Sequence, residues 1–230
     1  MDVFSYSGCG LRPSNQDFCL CRRLPQGRLV AVVADGMGGY AHGEVAAEVV
    51  ARSVVEHVCE AGDVESAPDD VLRGALAHAN EMVELKRISL GVRNMGAVAV
   101  AAIVSERAVC FAWLGDSRGC VVRDGRVVVQ TEDHSLVADL QRGRALSPAE
   151  LARFSSVVSR AVMGRSVPDE PSVVYAELKP GDSVLLCTDG LHRNVADLAT
   201  LPFDDARLEG FLDSRTDRWD DNYTLIRITV

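Results

Sequence analysis

The sequence has no excess of positive charge, no long apolar run and no paired-cysteine spacing, and each shortage removes a class of function. Lys and Arg number 24 against 33 Asp and Glu, for a net charge of −9. The clustered basic side chains that a sequence-independent grip on nucleic acid needs are therefore missing, and an anionic membrane surface is disfavoured for the same reason. The longest apolar run, Ala97 to Val104, stops at Ser105, far short of the roughly 18 residues of a membrane span. The chain starts with Asp2 after its methionine, and no apolar stretch with a small-residue cleavage site follows. A protein without a secretory leader, at home in the cytoplasm, is expected. The seven cysteines form an odd set with no C-x-x-C pair, which argues against a disulfide framework and against structural zinc. No repeat or low-complexity tract divides the chain, so residues 1–230 read as one domain.

What is present is a series of short β-branched runs. They predict strands over 17–21, 29–34, 97–104, 108–114, 119–122, 126–130, 157–161, 172–177, 183–188 and 225–230. Asp124-Gly125 between two such runs has the composition of a tight type I′ hairpin, so the strands around it should be antiparallel. Apolar residues at helical spacing predict helices over 43–60 (Val45, Val49, Ser53 or Val54, Val58) and 68–86 (Leu72, Ala75, Leu76, Ala79, Val83). A shorter helix is signalled by Ser147-Pro148-Ala149-Glu150, in which Ser147 can cap and Glu150 holds the capping-box position. The polar stretch 138–145 before it reads as a surface excursion. Two adjacent helices among mostly sequential strands predict an α+β fold, a sandwich of two antiparallel β-sheets with α-helices on its outer faces.

Several of these strands run straight into an acid. Leu29 to Ala34 is apolar throughout, as a strand buried on both faces should be, and meets Asp35-Gly36; Val184 to Thr188 meets Asp189-Gly190; Phe111 to Gly115 meets Asp116; and Asp220-Asp221-Asn222 precedes the last strand. Any one Asp-Gly is equally well ordinary turn chemistry. Four together suit a site gathered at one sheet edge, although spacing alone does not make them converge. Grouped carboxylates raise one another's pKa unless a cation neutralises them, and ligation by oxygen alone favours Mg²⁺ or Mn²⁺. The small Gly36 and the Gly38-Gly39 pair would let backbone carbonyls and water approach such an ion.

At this point the chain resembles a known family, the metal-dependent Ser/Thr protein phosphatases of the 2C type (PPM family) in their compact bacterial form. The resemblance is carried by Gly10-Leu11-Arg12-Pro13-Ser14-Asn15-Gln16-Asp17, Asp35-Gly36-Met37-Gly38-Gly39, Gly43-Glu44, Gly115-Asp116-Ser117-Arg118 and Asp133-His134-Ser135. Ser159-Arg160-Ala161, Lys179-Pro180-Gly181-Asp182, Cys187-Thr188-Asp189-Gly190-Leu191 and Asp221-Asn222-Tyr223-Thr224 continue it in order to near the end of the chain. It implies that Asp35 bridges two Mn²⁺ or Mg²⁺ ions, that the Gly36 carbonyl binds one, that Asp189 and Asp221 complete the other, and that Asp116 holds a third, weaker ion. Arg12 would grip substrate phosphate, with Asp17 and Asn222 in the outer set that orients metal-bound water. Arg142 and Arg144 fall on the family's substrate flap, over 136–154.

The implied activity is hydrolysis of phosphoserine and phosphothreonine in proteins by a metal-bound hydroxide. The partners are then substrates of a Ser/Thr kinase, met by a monomer that binds neither nucleic acid nor membrane. Two other readings stay open: a catalytically silent relative that binds phosphoproteins, and a phosphomonoesterase acting on small molecules. Cys187 and Arg193 have the spacing of cysteine phosphatases, but Asp189 between them would repel both phosphate and thiolate. The chain also departs from relatives in Met37, in Tyr40 and in Met95-Gly96-Ala97-Val98, and the proton donor to the leaving group is left unassigned, with His42 the nearest histidine in sequence.

Overall fold

The computed structural model describes residues 1–37, 42–62, 64, 66–154 and 157–230; Gly38, Gly39 and Tyr40 lie outside these. One sheet pairs β1 (Asp2–Gly8), β10 (Tyr223–Thr229), β9 (Ser183–Cys187), β6 (Arg118–Arg123) and β7 (Arg126–Gln130), in that order. The other pairs β2 (Asp17–Arg23), β3 (Leu29–Gly36), β4 (Ala97–Val104), β5 (Ala108–Leu114) and β8 (Ser172–Glu177). Every pairing is antiparallel. Helices α1 (Gly43–Glu60) and α2 (Pro68–Ser89) pack on the β3 sheet, while α5 (Asp189–His192) and α6 (Asp205–Asp213) pack on the β10 sheet. The expected sandwich with helices outside is the observed fold.

The two-residue period of a strand explains why β3 is apolar without interruption. Leu29, Ala31 and Val33 face the other sheet, while Val30, Val32 and Ala34 face the helices. On β9 and β10, Val184, Leu186, Ile226 and Ile228 meet them from the opposite sheet, and Leu185, Cys187, Tyr223 and Leu225 turn outward to α6. Three apolar layers result, and every strand in the middle must be greasy on both sides.

Most elements lie where the sequence puts them, and the exceptions have local causes. β1 gave no recognisable signal because it is an edge strand that buries mainly Phe4 and Tyr6, with polar or exposed residues between. The expected strand over 157–161 does not form; only isolated bridges tie Val158 to Ser135 and Val162 to Ala97. There the Ala161 N–H donates to the Asp169 carboxylate at 3.0 Å, so a side chain has taken a donor that a ladder would use. The stretch read as a surface excursion begins with a helix, α3 (Leu136–Gln141), whose cap is the Ser135 side chain accepting from the Ala138 N–H. In α4 (Pro148–Phe154) the capping box is formed as predicted, Ser147 Oγ accepting from the Glu150 N–H at 3.3 Å and the Ser147 N–H donating to Glu150 Oε2 at 2.9 Å.

The turn of α5 lies so close to the start of β10 that a Cβ at Gly190 would stand 1.9 Å from the Asn222 carbonyl oxygen. Gly190→Ala should therefore cost more than about 2 kcal/mol in urea unfolding. Gly210→Ala, on the open face of α6, should instead gain roughly 0.5–1 kcal/mol. Equal effects from the two would contradict this packing.

Candidate active site at the open end of the sandwich

The strand period that builds the core also aims the acids. Asp35 has the parity of Ala31 and Val33, so it points between the sheets, at the end of β3 where the sandwich opens. Asp17 stands opposite Asp35 in the β2–β3 register. Asp116 follows β5; across the gap Asp189 follows β9 and Asp221 precedes β10. A cleft of about 810 Å³ is lined by Arg12, Asp35, Gly36, Asp116, Asp189, Asp221 and Asn222, with Met37, Val98 and Arg193 among the other wall residues. The four strand-end acids singled out in the sequence thus share one cavity.

Their electrostatics are adverse as they stand. Burial, reinforced by the charges of Asp17, Asp189, Asp116 and Asp221, holds the Asp35 carboxyl well above the usual carboxylate range. Burial likewise pushes Asp17 up to about 7 and Asp116 up to about 6. Asp17 Oδ2 accepts from the Thr188 hydroxyl at 2.8 Å, yet its Oδ1 is buried without a partner, and so is Asp189 Oδ1. An orphaned oxygen on the wall residue Asp189 and another on Asp17, opposite Asp35, beside a cleft that carries a surplus of acids, fit hard divalent cations. Among the described residues no three acid, thiol or imidazole side chains form a finished cation cage. The acids are spread around the cleft, which leaves room for the water ligands that Mg²⁺ keeps.

Two arginines partly balance the cluster. Arg12 Nη2 donates to Asp221 Oδ2 at 2.8 Å, with both side chains substantially exposed. Arg193 reaches Asp189 Oδ2 at 2.8 Å and Asp116 Oδ2 at 2.9 Å. Arg193 was visible in the sequence only as the far end of the Cys187 spacing; its place four residues after Asp189, one helical turn on, was the signal for an ion pair. Asn222 proves to be a clamp on the loop that carries Arg12. Its Oδ1 accepts from the Gln16 N–H at 2.8 Å, and its Nδ2 donates to the Cys9 and Ser14 carbonyls at 2.8 and 3.0 Å.

Other candidates fall outside the cleft. Cys187 is fully buried in β9 and its thiol is pushed well above the ordinary range by that burial, which removes cysteine chemistry. His42 is exposed at the start of α1. His134 and His192 are turned to other work, with Gly115 N–H donating to His134 Nδ1 at 3.2 Å and His192 Nε2 donating to the Asp116 carbonyl at 2.8 Å. On the flap, Arg142 pairs with Asp139 and Arg144 with Glu150, so their charges are met within the flap itself.

The protein phosphatase 2C family model matches residues 12–223. The chain belongs to the protein phosphatase 2C family. The serine/threonine protein phosphatase PstP of Mycobacterium tuberculosis is 31% identical to this phosphatase 2C chain over 192 residues, 81% of this chain and 35% of PstP. This chain therefore spans about a third of that relative's length. Among solved structures, the serine/threonine phosphatase of S. agalactiae superposes with a TM-score of 0.87 at 26% identity, covering 100% of this chain and 99% of that one. The catalytic domain of PstP in complex with two manganese ions superposes at 0.76 and 26% identity, covering 98% and 96%. No helix among the described residues of this family member is long and apolar enough to cross a membrane.

The raised pKa values give a stability test. An acid whose folded pKa exceeds its unfolded value favours folding at low pH and loses that contribution as pH rises through the folded pKa. After chelation, Asp35→Asn should melt several degrees above the parent at pH 8, at roughly 2–4 °C per kcal/mol for a domain of this size. The gap should narrow at pH 5. A gap that does not change with pH would contradict mutual repulsion.

Proposed function

We propose that this chain is a metal-dependent protein serine/threonine phosphatase, residues 1–230 acting as a single catalytic domain. The observation that carries the reading is the convergence of Asp35, Asp116, Asp189 and Asp221, from both sheets, on one cleft with Arg12 at its rim. Asp35, the Gly36 carbonyl, Asp189 and Asp221 would hold two Mn²⁺ or Mg²⁺ ions. Bound there, such ions supply Lewis acidity, which lowers the pKa of water and offsets the charge of a phosphoryl group.

The chain's own residues do the positioning. Asp35 and Asp189 keep their carboxylates toward the gap between the sheets, Asp189 with its Oδ2 held by Arg193 and its Oδ1 free. Asp17, tied to the Thr188 hydroxyl, stands across from Asp35 on the neighbouring strand. Arg12 offers a planar fork of donors to a phosphate dianion, and its bond to Asp221 is open to solvent and weak enough to be exchanged for that contact. Asn222 holds the Arg12 loop to the start of β10, so the phosphate grip and Asp221 keep their spacing. The expected third ion at Asp116 meets a guanidinium already in place.

The substrates on this reading are phosphorylated proteins from a Ser/Thr kinase, met in the cytoplasm by a monomer. Its net charge of −9 suits neither nucleic acid nor an anionic membrane. With Mn²⁺ the protein should hydrolyse both p-nitrophenyl phosphate and a phosphothreonine peptide, and excess chelator should abolish both. Asp35→Ala should be inactive, and Arg12→Ala should lose roughly 10–100-fold in kcat/KM, the worth of about one charge-assisted hydrogen bond. Turnover of the small ester alone would make it a small-molecule phosphomonoesterase, and no turnover of either would make it a silent binding protein.

A further inference from the structure

Arg193 is placed differently from every other basic residue near the cleft. It caps the single turn of α5, and its backbone N–H donates to the Asp189 carbonyl at 2.9 Å. From there one guanidinium bridges two acids that belong to different sheets: Nη1 to Asp189 Oδ2, after β9, and Nη2 to Asp116 Oδ2, after β5. Both carboxylates are about nine-tenths buried, at 11% and 10% exposure. The backbone of Asp116 is itself fixed, because His192 Nε2 donates to its carbonyl oxygen at 2.8 Å.

Arg12 and Arg193 differ in the burial of the acids they hold. Arg12 makes one bond to an acid that is 34% exposed, and water competes well for such a pair. Arg193, itself 45% exposed, makes a charge-assisted hydrogen bond to Asp116 and an ion pair with Asp189, and both acids are ones that water barely reaches. A divalent ion that needs Asp116 would have to expel a permanent cation or bind beside it. Asp189 gives its Oδ2 to Arg193, while its Oδ1 is buried without a partner.

Resting on the metal-dependent reading above, we propose that Arg193 is a built-in cation that takes the place of a third divalent ion on the Asp116 side of the cleft, so that this chain holds two ions rather than three. Arg193 also holds Asp189 by its Oδ2 and leaves Oδ1 as that acid's one unpartnered oxygen. Asp116 serves the guanidinium, and through it the joint between the sheets.

The test is a count of bound ions in the full chain, stripped by chelator and titrated with Mn²⁺ by calorimetry and by electron paramagnetic resonance of the free ion. The parent should bind two. Arg193→Ala and the more conservative Arg193→Gln should each gain a third, weaker ion, at least tenfold weaker than the first two, and Asp116→Ala added to either should remove it. Arg193→Lys, which keeps the charge, should stay at two. A third ion in the parent that disappears in Asp116→Ala would overturn the proposal, as would an unchanged count of two in both neutral variants. Failure of both neutral variants to fold even with Mn²⁺ present would overturn it too, since an ion should then substitute for the guanidinium. If the parent binds no Mn²⁺ that Asp35→Ala removes, the metal-dependent reading itself fails and the inference falls with it.

Discussion

The repulsion among acids buried at one end of the sandwich is the constraint around which the rest of the molecule is arranged. Asp17, Asp35, Asp116 and Asp189 come from strands that must stay apolar for packing, and each meets the others in a place where water screens little. A chain left to optimise stability alone would put uncharged side chains at these strand ends. Keeping them there costs folding free energy that the three apolar layers supply, and it leaves an electrostatic demand that only a cation can meet. The two arginines meet part of it, and the orphaned oxygens of Asp17 and Asp189 mark the part left over.

The fold makes this arrangement possible because strand parity and strand ends coincide. Residues that face the opposite sheet along β3 and β10 are apolar up to Val33 and Ile226, and the same face then carries Asp35 and Thr224. The interior of the sandwich therefore changes from hydrocarbon to oxygen within one or two residues, with no intervening loop. A shift of one residue along β3 would turn Asp35 toward the helices and put Ala34 or Gly36 in its place between the sheets.

Much of this was legible in the sequence, for a physical reason. Strands buried on both faces leave unbroken apolar runs, and acids placed at the ends of such runs stand out against them, so β3, β4, β5 and β9, and the acids that end β3 and follow β5 and β9, could be read residue by residue. The Asp124-Gly125 hairpin, with both residues at positive φ, and the capping box at Ser147 were readable because local chemistry fixes them. What could not be read depends on partners distant in sequence. β1 is an edge strand whose pairing with β10 joins residues more than two hundred positions apart, and residues 157–161 have strand composition but give a backbone donor to Asp169. Arg193 was legible as a charge beside Asp189, whereas its second bond, to Asp116, exists only because the two sheets face each other.

The clamp made by Asn222 joins residues 9–16 to the start of the final strand, and β1 lies beside that same strand. Residues translated early thus wait for those translated late. While β10 is still inside the ribosome, the Arg12 loop lacks its Asn222 clamp, Asp221 is absent from the cleft and β1 has no strand to pair with. The centre is completed by the closing segment of the fold, so a nascent chain without it has Asp35, Asp116 and Asp189 but neither Asp221 nor the clamp on the Arg12 loop.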